Sequence, residues 1–239
     1  MSATKDEMLA SIRELEALLP TADPAMRATL QSQIELMHQT VAMLDRTEPA
    51  REAMKQHRPA LGPEVRAFFT PEPPAQVPVW LPDTLTRAEL HDGMMRCPPG
   101  ARVYTLDDGL SCSIPGQAGI SLSVAHGLTV TFHSTGRLRT QRFYERGLVR
   151  WSIEYHASTG AREKVSFYAA TEPHSYPEHG LSTSYSAHGV VTSQAWYHHG
   201  VHHGWHKIWE EDGFPVVATL YNNGQQVETV YPNGERRRG

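Results

Sequence analysis

The chain has 239 residues, a formal net charge of −4, 39% hydrophobic and 8% aromatic residues, and two cysteines. That length holds one or two domains, and the charge gives no reason to expect nucleic acid or an anionic membrane as partner. No run of about 18 apolar residues predicts a membrane span, and two cysteines are too few for a disulfide scaffold.

Residues 4–19 read as an amphipathic helix. Thr4 and Glu7 form a capping box, Met8, Ile12, Leu15 and Leu19 share one face, and Pro20 ends the segment. Asp23 is a good N-cap and Pro24 suits the first helical position. The second helix carries Met26, Leu30, Ile34, Met37, Val41 and Leu44 at near-heptad steps. Residues 1–47 are thus expected to form an αα-hairpin. Its small core calls for packing on the rest of the chain, on a partner, or on a second copy through residues 4–45.

Residues 48–82 contain prolines at 49, 59, 63, 71, 73, 74, 78 and 82. Proline removes a backbone donor and breaks helices and central strands, so the segment reads as an extended linker with short helices at Ala50 to His57 and Pro63 to Phe69. Phe68, Phe69 and Trp80 argue against full disorder and suit a strap across a sheet. Thr84 to Leu90 has room for one or two helical turns. Arg102–Leu106, Ser111–Ile114 and Ile120–Val124 read as strands, and residues 100–125 as a degenerate repeat. Cys97 and Cys112 are expected to be reduced thiols, a single disulfide being the alternative. The opening Met-Ser-Ala-Thr-Lys-Asp-Glu has no apolar core of signal-peptide type, so a cytoplasmic protein is expected.

Residues 126–235 repeat. An aromatic residue is followed a few positions on by glycine at Phe132 to Gly136, Tyr155 to Gly160, Tyr185 to Gly189, Trp209 to Gly213 and Tyr231 to Gly234. Between them lie Phe143-Tyr144-x-x-Gly147, Trp196-Tyr197-x-x-Gly200 and Leu220-Tyr221-x-x-Gly224, with Phe167-Tyr168 in the same place. The tyrosines at 144, 168, 197 and 221 give steps of 24, 29 and 24. An inserted loop at Thr171 to Glu178 accounts for the long step. His-Gly pairs open three copies, at His126, His179 and His203. Leu128, Val130 and Phe132 alternate with threonines, as a one-sided strand requires. Lys207 shares a face with Trp205 and Trp209 and is expected to lay its stem on the rings. Asn222-Asn223-Gly224 and Pro232-Asn233-Gly234 are hairpin turn sequences. The fold class expected is α+β: a helical hairpin, a Pro-rich linker, and an extended antiparallel sheet of tandem hairpins over residues 83–239.

His203-Gly-Trp-His-Lys-Ile-Trp209, Gly213, Leu220-Tyr-Asn-Asn-Gly224 and Tyr231-Pro-Asn-Gly234 resemble MORN-type repeats, most closely the bacterial YwqK-like variant commonly labelled antitoxins. The resemblance implies MORN-like hairpins in an extended sheet and a binding role, with no catalytic residues and no cofactor to carry over.

A non-enzymatic protein-binding module is therefore expected, with Tyr144, Trp196, Tyr197, Trp205 and Trp209 as candidate binding residues. Its partner would be another protein, such as a toxin or a signalling or defence component. A homo-oligomeric scaffold is one alternative. A second is metal binding within His198–His206, where His202, His203 and His206 are the candidate ligands. Their places in the repeat argue against it: His203 belongs to a His-Gly pair and His206 falls on the polar side of a strand. No Gly-x-Ser-x-Gly, phosphate-cradling loop or His-Glu-x-x-His is present, so catalysis is not expected.

Overall fold

The computed structural model describes residues 5–56, 58–74, 76–77, 80–115, 123–172 and 175–239. The chain divides into two compact units, Met1–Ala60 and Leu61–Gly239.

In the first unit, helix α1 (Lys5–Leu18) and a short 3-10 turn lead into helix α2 (Pro24–Gln56). Asp23 caps α2: its Oδ1 accepts the Met26 amide at 2.9 Å, which satisfies a donor left free by the first turn. Met8, Ile12, Ile34 and Val41 are buried together, flanked by Leu9, Leu15, Leu19 and Met37. The two apolar stripes thus face each other within the hairpin, while Met26 and Met43 are exposed. The capping box of Thr4 with Glu7 and the heptad position of the Leu44 side chain lie outside the described residues.

The helical boundary at 47 is corrected. Helix α2 runs through Pro49 to Gln56, and the break between units falls at Ala60. One proline removes one helical hydrogen bond and bends the helix. The residues that follow (Ala-Arg-Glu-Ala-Met-Lys-Gln) are strong helix formers and continue it.

The second unit begins with helix α3 (Pro63–Phe69). The strands follow in order as β1 (Arg102–Leu106), β2 (Gly109–Pro115), β3 (Ser123–Phe132), β4 (Leu138–Glu145), β5 (Leu148–Tyr155), β6 (Arg162–Phe167), β7 (Gly180–Tyr185), β8 (Val191–His198), β9 (Val201–Trp209), β10 (Pro215–Asn222), β11 (Gln225–Val230) and β12 (Arg236–Arg238). Among the described residues these twelve make a single antiparallel sheet in which every strand pairs with its neighbours in sequence. Thr84 to Leu90 is turn and bridge, not helix; Thr86 pairs with Arg137 in the turn between β3 and β4. Ile120 lies outside the described residues.

Two kinds of turn alternate. On one edge of the sheet, Arg146, His199 and Asn223 have φ of 47–49° and each precedes a glycine of φ 80–83°. Positive φ at both central residues defines the two-residue turn whose twist matches paired strands. The His-Gly pairs serve this edge. Gly127, Gly180 and Gly204 are the cross-strand partners of Tyr144, Tyr197 and Tyr221. The imidazole Nδ1 of His126 accepts the Arg146 amide at 3.1 Å, and that of His179 accepts the His199 amide at 3.4 Å. His126 and His179 are therefore accounted for by the turns beside them.

The described residues among 61–97 are not a free linker. They lie across one face of the sheet, from its C-terminal strands back to β2. Phe69 is buried with Ala218 and Val230 beneath α3. Lys207 Nζ donates to the Phe68 carbonyl at 2.7 Å and lies 4.8 Å from the Phe68 ring centre. Trp209 Nε1 donates to the Phe69 carbonyl at 2.9 Å. Gln194 bonds both the amide and the carbonyl of Glu72 at 2.8 Å. Farther on, Trp80 packs on Phe143. Val77, Leu81, Leu85 and Met95 join Leu110, Leu128, Val130, Trp151, Ile153 and Val165 in the main core. The strap ends in a disulfide from Cys97 to Cys112 on β2. The expectation of two reduced thiols is corrected: the strap brings Cys97 back over β2, a proximity that sequence spacing alone does not reveal.

Candidate binding face and histidine cluster

Alternation along a strand sends neighbouring side chains to opposite faces. Phe143 and Trp196 meet the strap, Phe143 through Trp80 and Trp196 through a 3.4 Å contact from Nε1 to Glu72. Tyr144 and Tyr197, one residue on, turn to the other face. That face has a floor of small hydroxyl side chains bonded to one another across strands. Ser111 meets Thr129 at 2.8 Å, Thr131 meets Thr140 at 2.8 Å, and Ser166 meets Ser182 at 3.1 Å. Such pairs satisfy their own polar atoms, so the floor stays buried without apolar cover.

A row of taller side chains rises beside this floor. Tyr168 donates to or accepts from Ser152 at 3.0 Å and stands edge-on to Tyr176, with ring centres 6.4 Å apart. Lys164 bonds Glu178 at 2.5 Å, and Glu178 also accepts from Ser166 at 3.0 Å. Tyr197 lies 4.5 Å from His202, which lies 4.9 Å from Tyr221 and stacks on His206 at 5.2 Å. Tyr144, Tyr168, Tyr197 and Tyr221 are half-buried and Tyr176 is 49% exposed.

The environment shifts several of these groups. Burial raises the phenol pKa of Tyr144 and, reinforced by Glu178, that of Tyr197. Burial would lower the Lys164 pKa, but its hydrogen bond and charge pairing with Glu178 outweigh this and raise it. Burial, aided by His202, lowers the pKa of His206. His202 Nδ1 is buried without a hydrogen-bond partner.

The five candidate binding residues therefore separate. Tyr144 and Tyr197 belong to the tyrosine row. Trp205 packs edge-on against Phe68 at 4.9 Å, and Trp209 is 4% exposed. Those two hold the strap and are corrected as partner-facing residues. Trp196 is 39% exposed but bonded to the strap. Sequence reasoning missed Tyr168, Tyr176 and Tyr221 as members of the row, although the periodic series Tyr144, Tyr168, Tyr197 and Tyr221 was a signal for two of the three, Tyr168 and Tyr221.

The histidines also regroup. His202 and His206 stack on each other, while His203 lies 5.9 Å from His198 instead. The predicted trio of His202, His203 and His206 is thus split, because successive strand residues diverge. His179, His198 and His199 come together: one ligand atom from each lies within 4.8 Å of the other two. Hairpin pairing of β7 with β8 makes this set, and His179 is too distant in sequence to have been grouped with the others.

No family model matches the chain, and no curated protein matches it. Among solved structures it is similar to a glycosylation-associated protein complex (Gap123) from Streptococcus agalactiae, with a TM-score of 0.30 and 11% identity over 50% of this chain and 20% of that one. It is also similar to TarM (0.24, 12%, 53% and 21%) and to a GtfA/B complex bound to UDP and GlcNAc (0.21, 11%, 64% and 26%). The matched part spans about a fifth to a quarter of those chains. The expectation that the chain is not an enzyme is withdrawn and not carried further. A likeness of this extent transfers no activity.

Among the described residues, no helix is long and apolar enough to cross a membrane.

Proposed function

We propose that the chain binds another protein through the tyrosine and histidine face of its sheet. One observation carries the reading. The strap already occupies the opposite face, whereas Tyr144, Tyr176, Tyr168, Tyr197, His202 and Tyr221 form a partly exposed row over a self-satisfied floor. Tyrosine supplies large, rigid, amphipathic contact area at small entropic cost, and it is enriched where interfaces concentrate their energy. The resemblance to MORN-type repeats of the YwqK-like variant supports the same reading. An antitoxin or immunity role, or a regulatory part in a bacterial defence system, is the context it favours. The Cys97–Cys112 disulfide suits oxidising surroundings, so the cytoplasmic expectation is not carried into the proposal.

Affinity capture with the full chain, followed by direct titration of the recovered protein, tests this. The partner should bind wild type and lose at least about tenfold in affinity to a Tyr144→Ser/Tyr197→Ser/Tyr221→Ser variant, given hot-spot losses of roughly 2 kcal/mol or more. Equal binding by that variant would reject the face.

A further inference from the structure

We propose that His179, His198 and His199 form a binding site for a divalent transition metal of the zinc class, built on the β8–β9 turn. Three observations carry it beyond the protein-binding reading.

The first is convergence: the three imidazoles each place a ligand atom within 4.8 Å of the other two. A tetrahedral zinc with Zn–N bonds of roughly 2.0–2.1 Å needs nitrogens about 3.3 Å apart. His198 and His199 are exposed at a turn, so their rings can rotate the remaining distance.

The second comes from comparing the chain with itself. The three two-residue turns of this edge occupy equivalent places. In the first copy the positions are His126, Glu145 and Arg146; in the last they are His203, Asn222 and Asn223. The His of the His-Gly pair is common to all three, and at His126 and His179 its Nδ1 accepts the turn amide. His198 and His199 are extra. Neither sibling turn has histidine there, so the hairpin does not require it.

The third is the donor set. Imidazoles without carboxylates favour zinc, copper or nickel over magnesium or calcium. Three histidines leave zinc a fourth position. The ring of His203 lies 5.9 Å from that of His198. Binding has an internal cost. The His179 Nδ1 contact with the His199 amide is long, at 3.4 Å. Ligation through Nδ1 would displace that amide, and ligation through Nε2 would place a proton on Nδ1; either way the contact is exchanged for a coordinate bond.

The experiment is zinc titration of the untagged full chain by calorimetry, with metal content measured after dialysis. Wild type should hold one zinc per chain. His198→Asn/His199→Asn reproduces the Asn222-Asn223-Gly224 turn of the next repeat, and it should bind zinc at least about tenfold more weakly. His202→Ala/His206→Ala should bind as wild type does. On wild type itself, zinc should shift the imidazole NMR signals of His179, His198 and His199 and leave that of His206 in place, a readout that does not depend on any variant folding. The proposal is overturned if wild type retains no zinc, if the asparagine variant binds as tightly as wild type, or if the resonances that move belong to His202 and His206.

Discussion

Tyr155 on β5 donates its hydroxyl to Asp83 of the strap at 2.7 Å, across 72 residues of sequence. Gln141 donates to the same phenol oxygen at 2.7 Å, and Arg162 closes on Asp83 at 2.8 Å. Burial, with Asp83 next, raises the phenol pKa, so the hydroxyl keeps its proton throughout the ordinary pH range. Tyr155→Phe keeps the ring and removes both bonds. It should destabilise the second unit by about 1–3 kcal/mol, read from urea unfolding. A change near zero would show that the strap does not depend on this contact.

The far end of the strap rests on packing. Phe69 is 3% exposed against Ala218 and Val230, and Trp209 bonds its carbonyl. Phe69→Ala should cost about 3–5 kcal/mol, as large-to-small core substitutions do. Tyr221→Ser on the other face should cost about 1 kcal/mol or less. Thermal melts of the two variants separate the face that holds the fold from the face assigned to a partner.

Reduction provides a third test. The Cys97–Cys112 bridge closes a sequence separation of 15 residues. For a loop of that size the chain-entropy model gives about 3 kcal/mol. Denaturant midpoints should fall accordingly in dithiothreitol, and Cys97→Ser/Cys112→Ser should then be insensitive to it.

The half-buried imidazole of His206 predicts a pH dependence. Its pKa in the folded chain is lowered by burial and by His202. Between that value and the unfolded value of about 6.5 the unfolded chain binds more protons, so stability falls as pH drops through this window and levels off below it. His206→Thr, the residue type at the equivalent strand position Thr129, should flatten the fall. The comparison is made from melts between about pH 7 and pH 5.

How much of this was legible from the sequence depends on the range of the interaction. Asp23 and Pro24 marked the start of α2, because a cap is decided within four residues. The glycines of the hairpin turns marked the strands, because a turn conformation is equally local. Helix α2 passing Pro49 was not legible: neighbouring propensities outweighed one lost hydrogen bond. The strap was legible only as aromatic content, at Phe68, Phe69 and Trp80. Its course is fixed by contacts such as Lys207 to the Phe68 carbonyl, which span 139 residues. The histidine cluster followed the same rule. Adjacency in sequence suggested His202, His203 and His206, whereas strand pairing gathered His179, His198 and His199.

Photo-crosslinking tests the central claim most directly. A benzophenone side chain is placed singly at Tyr197, at Tyr221 or at Trp205, and the full chain is irradiated with its captured partner. The account predicts adducts to the partner from Tyr197 and Tyr221, and from Trp205 only intramolecular links to the segment around Phe68. Partner adducts from Trp205 with none from the tyrosines would contradict it.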